Sequence, residues 1–416
     1  MTDISRAGAE ARPLRIAYLF QQYPVPSEAF AVSDIAALLA EGHEVTVHTL
    51  KRRSRHAASG DVPTGVRVVR PGGAASWPGL LWRWRREAAR LSRRIFASGR
   101  AAPVTALQAL LCLPRLLEIA ECVAADRADV VHAFWSRHVG LVLPLLEQRR
   151  LDPLRSAFVG AYDLVADDFL VNLTLGAAEI IVSHAEANRP YLDRKVPADV
   201  QRAIIRRGIP LSVASGEAER DPLAWVTASS LVPAKNVDCV IRAFADARLR
   251  APRLTLRVCG DGPDRSRLEK ITRQLGIAEA VTFAGHVARD QLFGHMSRAA
   301  VFMLLSNKPS ERLPNVVKEA LWAGCTVVSS RSEGIEELIP DDRVGYVVDP
   351  GDAGAVGAAI TAILSDTNDR RAARRSAARA LIAANFSSQG SMRAYVDAWR
   401  AALAAAPVVR QPASPD

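Results

Sequence analysis

Ser310-Glu311-Arg312-Leu313-Pro314-Asn315-Val316-Val317-Lys318-Glu319-Ala320-Leu321-Trp322-Ala323-Gly324 carries the reading of the fold, with seven residues between its two acids, Glu311 and Glu319. A helix starts between those acids. Pro314 suits the first helical position, where its missing N–H would be unsatisfied anyway. Gly324 suits the residue just past the end. Val316, Val317, Ala320 and Leu321 make an apolar stripe able to pack on a sheet. Asn315, Glu319 and Trp322 share another face. Thr326-Val327-Val328 then reads as a short buried strand. Glu311 is therefore expected in the loop before the helix, beside the free amides of the first turn. Such an N-terminus attracts phosphate through unpaired N–H groups and the helix dipole. A carboxylate on either side of a phosphate site can grip the hydroxyls of a sugar or a ribose. A surface loop followed by an ordinary amphipathic helix satisfies the same spacing.

The stretch resembles the C-terminal signature of the retaining glycosyltransferases of family 4, which use the two-domain GT-B fold. The resemblance implies an α/β chain of two Rossmann-like domains, parallel sheets facing across a cleft, and a last helix that crosses back to the N-terminal domain. It also implies that Glu311 contacts the transferred sugar and that Glu319 holds the ribose of the nucleotide. The backbone from Arg312 through Leu313, Pro314 and Asn315 to Val316 would meet the donor diphosphate. The family pattern has Gly after the first Glu, and this chain has Arg312.

A chain of 416 residues is long for one core and comfortable for two domains. Its composition, 49% apolar and 24% charged, is that of an ordinary globular protein. The five cysteines are scattered, with no metal-ligand spacing, and read as free thiols in a reducing compartment. Met1 to Leu14 lack the apolar core of a signal peptide. The most apolar long segment, Ala106 to Ala125, is broken by Pro114, Arg115, Glu118 and Glu121, so no membrane span is predicted. A net charge of +10 favours anionic partners without choosing among nucleotide phosphates, nucleic acid and a lipid surface.

In the N-terminal half, Leu14 to Phe20 reads as a buried strand, Ser27 to Leu39 as a helix and Glu44 to Leu50 as a second strand. This is the βαβ opening of a doubly wound domain, without the Gly-x-Gly-x-x-Gly of a dinucleotide site. Pro24-Val25-Pro26-Ser27-Glu28-Ala29-Phe30, continuing to Gly42-His43-Glu44-Val45, resembles family 4 enzymes that build bacterial exopolysaccharide. His43 reads as a structural connector. Between Trp77 and Arg100 seven arginines face one acid, Glu87. As a helix this segment suits an anionic membrane surface, with Trp77, Trp82 and Trp84 to bury there. A solvated helix face is the other reading. Asp129-Val130-Val131-His132-Ala133 reads as a strand that brings His132 to the carboxyl edge of the sheet, where ligands collect. At the exit Gly160-Ala161-Tyr162-Asp163 the family has His three residues before the Asp. Here Gly160 stands in its place and Asp163 is kept. Asp163 and His132, with His138 as the alternative to His132, therefore join Glu311 as catalytic candidates. Arg206-Arg207-Gly208-Ile209-Pro210 resembles the last strand of this domain, and Ser212 to Asp221 reads as the linker.

The second half opens with a strand from Leu223 to Ser230. The family's Arg and Lys here bind nucleotide phosphates; Lys235 matches the Lys, while Ser230 stands for the Arg. Gly260-Asp261-Gly262-Pro263 follows a strand and permits close backbone approach. By resemblance Ser230, Lys235, Gly260 and Gly262 belong to the nucleotide-sugar site. Gly334-Ile335-Glu336-Glu337 and Gly345-Tyr346-Val347-Val348 match the family's closing pattern, with Glu337 a helix-cap candidate.

The expected domains are a flexible arm 1–13, an acceptor domain 14–210, a linker 211–222, a nucleotide-sugar domain 223–385, a crossover helix 386–406 and a disordered tail 407–416. The expected function is transfer of a sugar, with retention, from a UDP- or GDP-sugar to a glycan or lipid-linked acceptor of surface polysaccharide or glycoconjugate. The alternative is a nucleotide-binding homologue of weak activity, given Gly160, Ser230 and Arg312. No metal and no cofactor are expected, and no Asp-x-Asp pair occurs. No zinc-finger or RNA-binding signature supports a nucleic-acid partner. The expected location is cytoplasmic, peripheral on the inner face of the plasma membrane if the acceptor is lipid-linked.

Overall fold

The computed structural model describes residues 12–25, 29–51, 62–70, 72, 74–151, 153–166, 168–211, 219–308 and 311–405. Residues 1–11 of the arm, Pro26 to Glu28 of the N-terminal motif, linker residues 212–218, Ser310 and the tail 407–416 lie outside them. The chain divides into two compact units. The first holds Met1–His184, Asn188–Ile205 and Ser391–Asp416; the second holds Ala185–Ala187 and Arg206–Gly390.

The first unit is built on β1 (Arg15–Phe20), β2 (Glu44–Thr49), β3 (Arg67–Val69), β4 (Val130–Phe134), β5 (Leu154–Phe158), β6 (Ile180–Ser183) and β7 (Gln201–Ile204). All pair in parallel, in the order β3-β2-β1-β4-β5-β6-β7. The central strands are buried on both faces, which is why they read as continuous apolar runs. The last strand is Gln201–Ile204 rather than Arg206 to Pro210. Those five residues belong to the second unit, where Ile209 bridges to Ser387.

The second unit carries β8 (Asp221–Ala228), β9 (Thr255–Cys259), β10 (Val281–Gly285), β11 (Ala299–Leu304), β12 (Thr326–Ser330) and β13 (Gly345–Val348). Their parallel order is β10-β9-β8-β11-β12-β13. Renumbered within each unit, the first sheet runs 3-2-1-4-5-6-7 and the second 3-2-1-4-5-6. That is the doubly wound arrangement, and it opens a crevice where the winding reverses, beyond the carboxyl ends of the first and fourth strands.

The basic segment is not one helix. It breaks at Trp84 into helices Trp77–Arg83 and Arg85–Ser98, followed by the 23-residue helix Pro103–Ala125 with Pro114 inside it. Trp84 is fully buried; its indole N–H donates to Glu121 at 2.6 Å and Arg149 stacks on its ring at 3.5 Å. It therefore cannot insert into a membrane, as the one-helix reading expected of it. Helix Ser388–Ala405 returns the chain to the first unit, placing Met392, Tyr395, Val396 and Trp399 in one core with Ile16, Tyr18 and Phe134.

Candidate functional site

In the second unit the winding reverses between β8 and β11, so the loops leaving those strands define the crevice. After β8 the chain makes a 3-10 turn, Pro233–Lys235, and Asn236 turns left-handed (φ 51°) into helix Val237–Arg250. The loop after β11 is tied to it: Asn307 N–H and Ser306 Oγ both donate to the Ala234 carbonyl, at 3.0 and 3.2 Å. This brings Lys235 and Glu311 together, and Lys235 Nζ donates to Glu311 Oε1. Glu311 Oε2 and Ser229 Oγ are buried with no hydrogen-bond partner among the described residues. Buried oxygens of this kind are ordinarily satisfied, and a ligand that carries hydroxyls would satisfy these.

From Glu311 the chain climbs to the signature helix. Leu313 is buried at φ 48°, Pro314 is the N-cap, and the helix runs Asn315–Ala323. Pro314 thus stands one position before the first helical residue, contrary to the sequence reading. Val317 and Lys318 N–H donate to the Pro314 carbonyl, while the first-turn amides of Asn315 and Val316 have no intrahelical acceptor. The helix closes as a Schellman turn: Gly324 takes φ 92° and Cys325 N–H reaches back to the Ala320 carbonyl at 2.9 Å. Glu319 is held from the start of helix Arg289–Arg298, with Arg289 Nε and Nη2 donating to Glu319 Oε1 at 3.0 and 2.8 Å. Ile209, Pro210, Asp290 and Phe293 line the recess around this pair.

Three expectations are corrected here. Arg312 does not present its charge to the crevice; its side chain is buried and ion-paired with Glu333. Gly260 and Gly262 do not offer free amides. Gly260 N–H donates to the Gly285 carbonyl at 2.7 Å, and Gly262 N–H to the Asp261 carboxylate at 2.8 Å. Their need for glycine comes from packing of loop on loop: a Cβ would stand 1.8 Å from the Ser229 carbonyl oxygen at position 260, and 2.4 Å from that of Leu231 at position 262. Ser230, between those contacts, is exposed. Glu337 is no helix cap: it accepts Glu186 N–H at 2.9 Å and Arg206 Nε at 2.8 Å.

Residues 213–380 match the family model described as glycosyl transferases group 1. Over this stretch the chain is similar to the group 1 glycosyltransferases. Over 153 residues it is 36% identical to a GDP-mannose-dependent alpha-(1-6)-phosphatidylinositol monomannoside mannosyltransferase of Mycolicibacterium smegmatis, covering 36% of this chain and 40% of that one. It is 33% identical to the lipopolysaccharide core biosynthesis glycosyltransferase LpsE of Rhizobium meliloti, covering 42% of this chain and 48% of that one. The matched span is thus less than half the length of these curated relatives. HepE of Anabaena, solved in complex with UDP and glucose, superposes with a TM-score of 0.66 at 17% identity, over 93% of this chain and 99% of that one. The fold is GT-B.

The two remaining candidates lie outside the matched stretch. His132 is not at the carboxyl edge, because β4 continues to Phe134. It is fully buried, with Nδ1 2.8 Å from Ser156 Oγ and its ring among Tyr18, Tyr395 and Trp399. That is a core position, closed to substrate. Asp163 lies just past β5 but folds back on its own backbone, accepting Gly160 N–H at 3.0 Å. Burial pushes its carboxyl up to about 6, against the Gly160 hydrogen bond. Where the family has His, Gly160 faces Trp135: a Cβ at 160 would stand 3.0 Å from the indole. Trp135 itself holds φ 67°. The room for the missing imidazole is taken.

Sequence reading missed Arg289, Lys318 and Ser229. Lys318 is buried inside the domain, donating to the Arg207 carbonyl at 2.8 Å and Asn315 Oδ1 at 3.0 Å. The thiols offer no chemistry: all five are free, and burial pushes Cys259 up to about 11 and Cys325 up to about 12. No cluster that could hold a metal occurs among the described residues.

Proposed function

We propose that this chain transfers a sugar, with retention and without metal, from a UDP- or GDP-sugar to a glycan or lipid-linked acceptor of surface polysaccharide or glycoconjugate. The observation that carries the reading is the Lys235–Glu311 pair at the switch point, with the second carboxylate oxygen of Glu311 buried and unmatched. Donor binding gives Lys235 a stronger partner, the diphosphate, and frees Glu311 to accept a hydroxyl of the transferred sugar. The open amides of Asn315 and Val316 stabilise the charge that grows on the leaving diphosphate, and helix geometry fixes them before the reaction begins. Glu319, steadied by Arg289 through one oxygen, keeps the other for the ribose. The names of the relatives, one GDP-mannose-dependent and one solved with UDP and glucose, support a nucleotide-sugar donor. Where the acceptor is lipid-linked, the basic helices between Trp77 and Arg100 supply a membrane-side surface, and the protein works at the inner face of the plasma membrane.

The test is a donor panel read by release of nucleoside diphosphate, with the anomeric configuration of the product assigned by NMR. Glu311→Gln lowers turnover while nucleotide affinity stays; intact turnover removes Glu311 from the chemistry, and an inverted product removes retention. A second reading, nucleotide binding with little transfer, is favoured by Trp135 over Gly160 and by the enclosure of Arg312. Tight nucleotide binding with no diphosphate released from any donor would establish it.

A further inference from the structure

Eleven large hydrophobic side chains are exposed among the described residues, and six of them fall between positions 81 and 111. Three stand on one face of the first turns of helix Pro103–Ala125: Val104 at 67%, Leu107 at 58% and Leu111 at 71% exposed. The opposite face, Ala106, Ala109, Leu113, Leu116 and Leu117, is core. The stretch Pro103 to Pro114 contains no charged residue. A surface helix normally turns a polar side outward. This one is apolar on both sides, and a soluble surface has no use for the outer stripe.

The charges stand on helix Arg85–Ser98 just before it and on the 3-10 turn Gly99–Ala101 between the two. Arg86, Arg90, Arg93 and Arg100 are exposed and have no carboxylate partner among the described residues. The only acid of the segment, Glu87, is 3.4 Å from Arg149. Arg83 and Arg94, by contrast, face Glu121 at 3.1 Å and Glu147 at 4.0 Å. Phe96, 63% exposed, lies three residues after Arg93 on the same helix.

We propose that the outer stripe Val104, Leu107 and Leu111, with Arg86, Arg90, Arg93 and Arg100 beside it, is a docking surface for an anionic lipid bilayer. The pairing of an uncharged apolar stripe with unmatched arginines fits a surface that offers phosphate outside and hydrocarbon beneath. A second copy of the chain would bring like charge against like and is disfavoured. The proposal deepens the lipid-linked reading of the acceptor and moves the main point of insertion from Trp84 to helix Pro103–Ala125. Arginines supply the salt-sensitive share of binding, and the stripe supplies the share that salt leaves.

The whole protein is sedimented with vesicles of phosphatidylcholine alone and with vesicles containing phosphatidylglycerol in equal part. Binding is expected to the second and not the first. Replacing the four arginines by Gln should weaken it on the order of several hundredfold, at about fivefold per arginine. Leu107→Ser with Leu111→Ser should remove the fraction that survives high salt. Both variants should keep the circular dichroism spectrum and nucleotide affinity of the parent. The proposal is overturned if the parent binds neither vesicle or binds both equally, or if the serine variant holds on at high salt. It is equally overturned if the serine substitutions abolish a dimer seen by ultracentrifugation instead of vesicle binding. Vesicle binding by a protein that releases no diphosphate from any donor would sink the transferase reading and leave this surface standing.

Discussion

Lys235 and Glu311 are 76 positions apart in sequence and meet because two loops share the carbonyl of Ala234. Arg289 and Glu319, 30 apart, meet because the helices that carry them pack side by side. In both pairs an arginine or lysine stands against the acid that we propose binds the ligand. For the second pair this makes a test possible. If Arg289 only balances charge, Arg289→Ala lowers stability and leaves nucleotide affinity alone. If it aims Glu319 at the ribose, Arg289→Ala and Glu319→Ala should each raise the dissociation constant, by about 1.5–3 kcal/mol for a lost charge-assisted hydrogen bond. The double variant should then cost little more than either single, since neighbours that act through one bond are not additive. Calorimetry with a nucleoside diphosphate and its dideoxyribose analogue separates the cases. The parent should prefer the ribose form, and all three variants should lose that preference. Retained preference in Glu319→Ala would take Glu319 out of the ribose site.

At the scale of elements, the signature helix was legible because its cues are local: Gly324 at the end, a stripe of Val and Leu, two acids at fixed spacing. So were most strands, since buried parallel strands write themselves as unbroken apolar runs. What sequence hid was decided by contacts between distant segments. His132 was misplaced because a strand that continues two residues farther carries its side chain from the rim into the core. The burial of the Arg312 side chain could not be read because Glu333, its partner, sits on the next loop, beyond any local pattern. Lys318 was invisible for the same reason; a lysine next to Val317 promises solvent, and here it is buried. Its energetics give a second test. Burying an ammonium costs several kcal/mol, and bonds to Arg207 and Asn315 return about 1.5–3 kcal/mol each. The two nearly cancel, so Lys318→Met should change the melting free energy by less than about 2 kcal/mol. Nucleotide affinity should nevertheless fall, because Asn315 loses the anchor that holds the first turn in place. A large loss of stability with unchanged affinity would make Lys318 a purely structural residue.

At the scale of the molecule, the chain ends by repairing its beginning. Helix Ser388–Ala405 leaves the second unit and completes the core of the first, where Trp399 donates to Ser156 Oγ at 2.9 Å beside buried His132. Burial of a large apolar side chain contributes about 1.5–3 kcal/mol. Met392, Tyr395, Val396 and Trp399, all buried, therefore contribute roughly 6–12 kcal/mol, which is as much as a whole domain's net stability of about 5–15 kcal/mol. Removing residues 391–416 should unfold the first unit outright. The second unit, Arg206–Gly390, keeps its six strands and both members of the Lys235–Glu311 pair. Scanning calorimetry of the shortened chain should thus show one transition where the full chain shows the unfolding of both units. The remaining transition should move upward on adding the nucleoside diphosphate that the full chain binds, because a ligand held only by the folded form raises its melting temperature. Two surviving transitions would mean that the first unit stands without its last helix. A surviving transition indifferent to nucleotide would mean that the ligand needs more than the second unit provides.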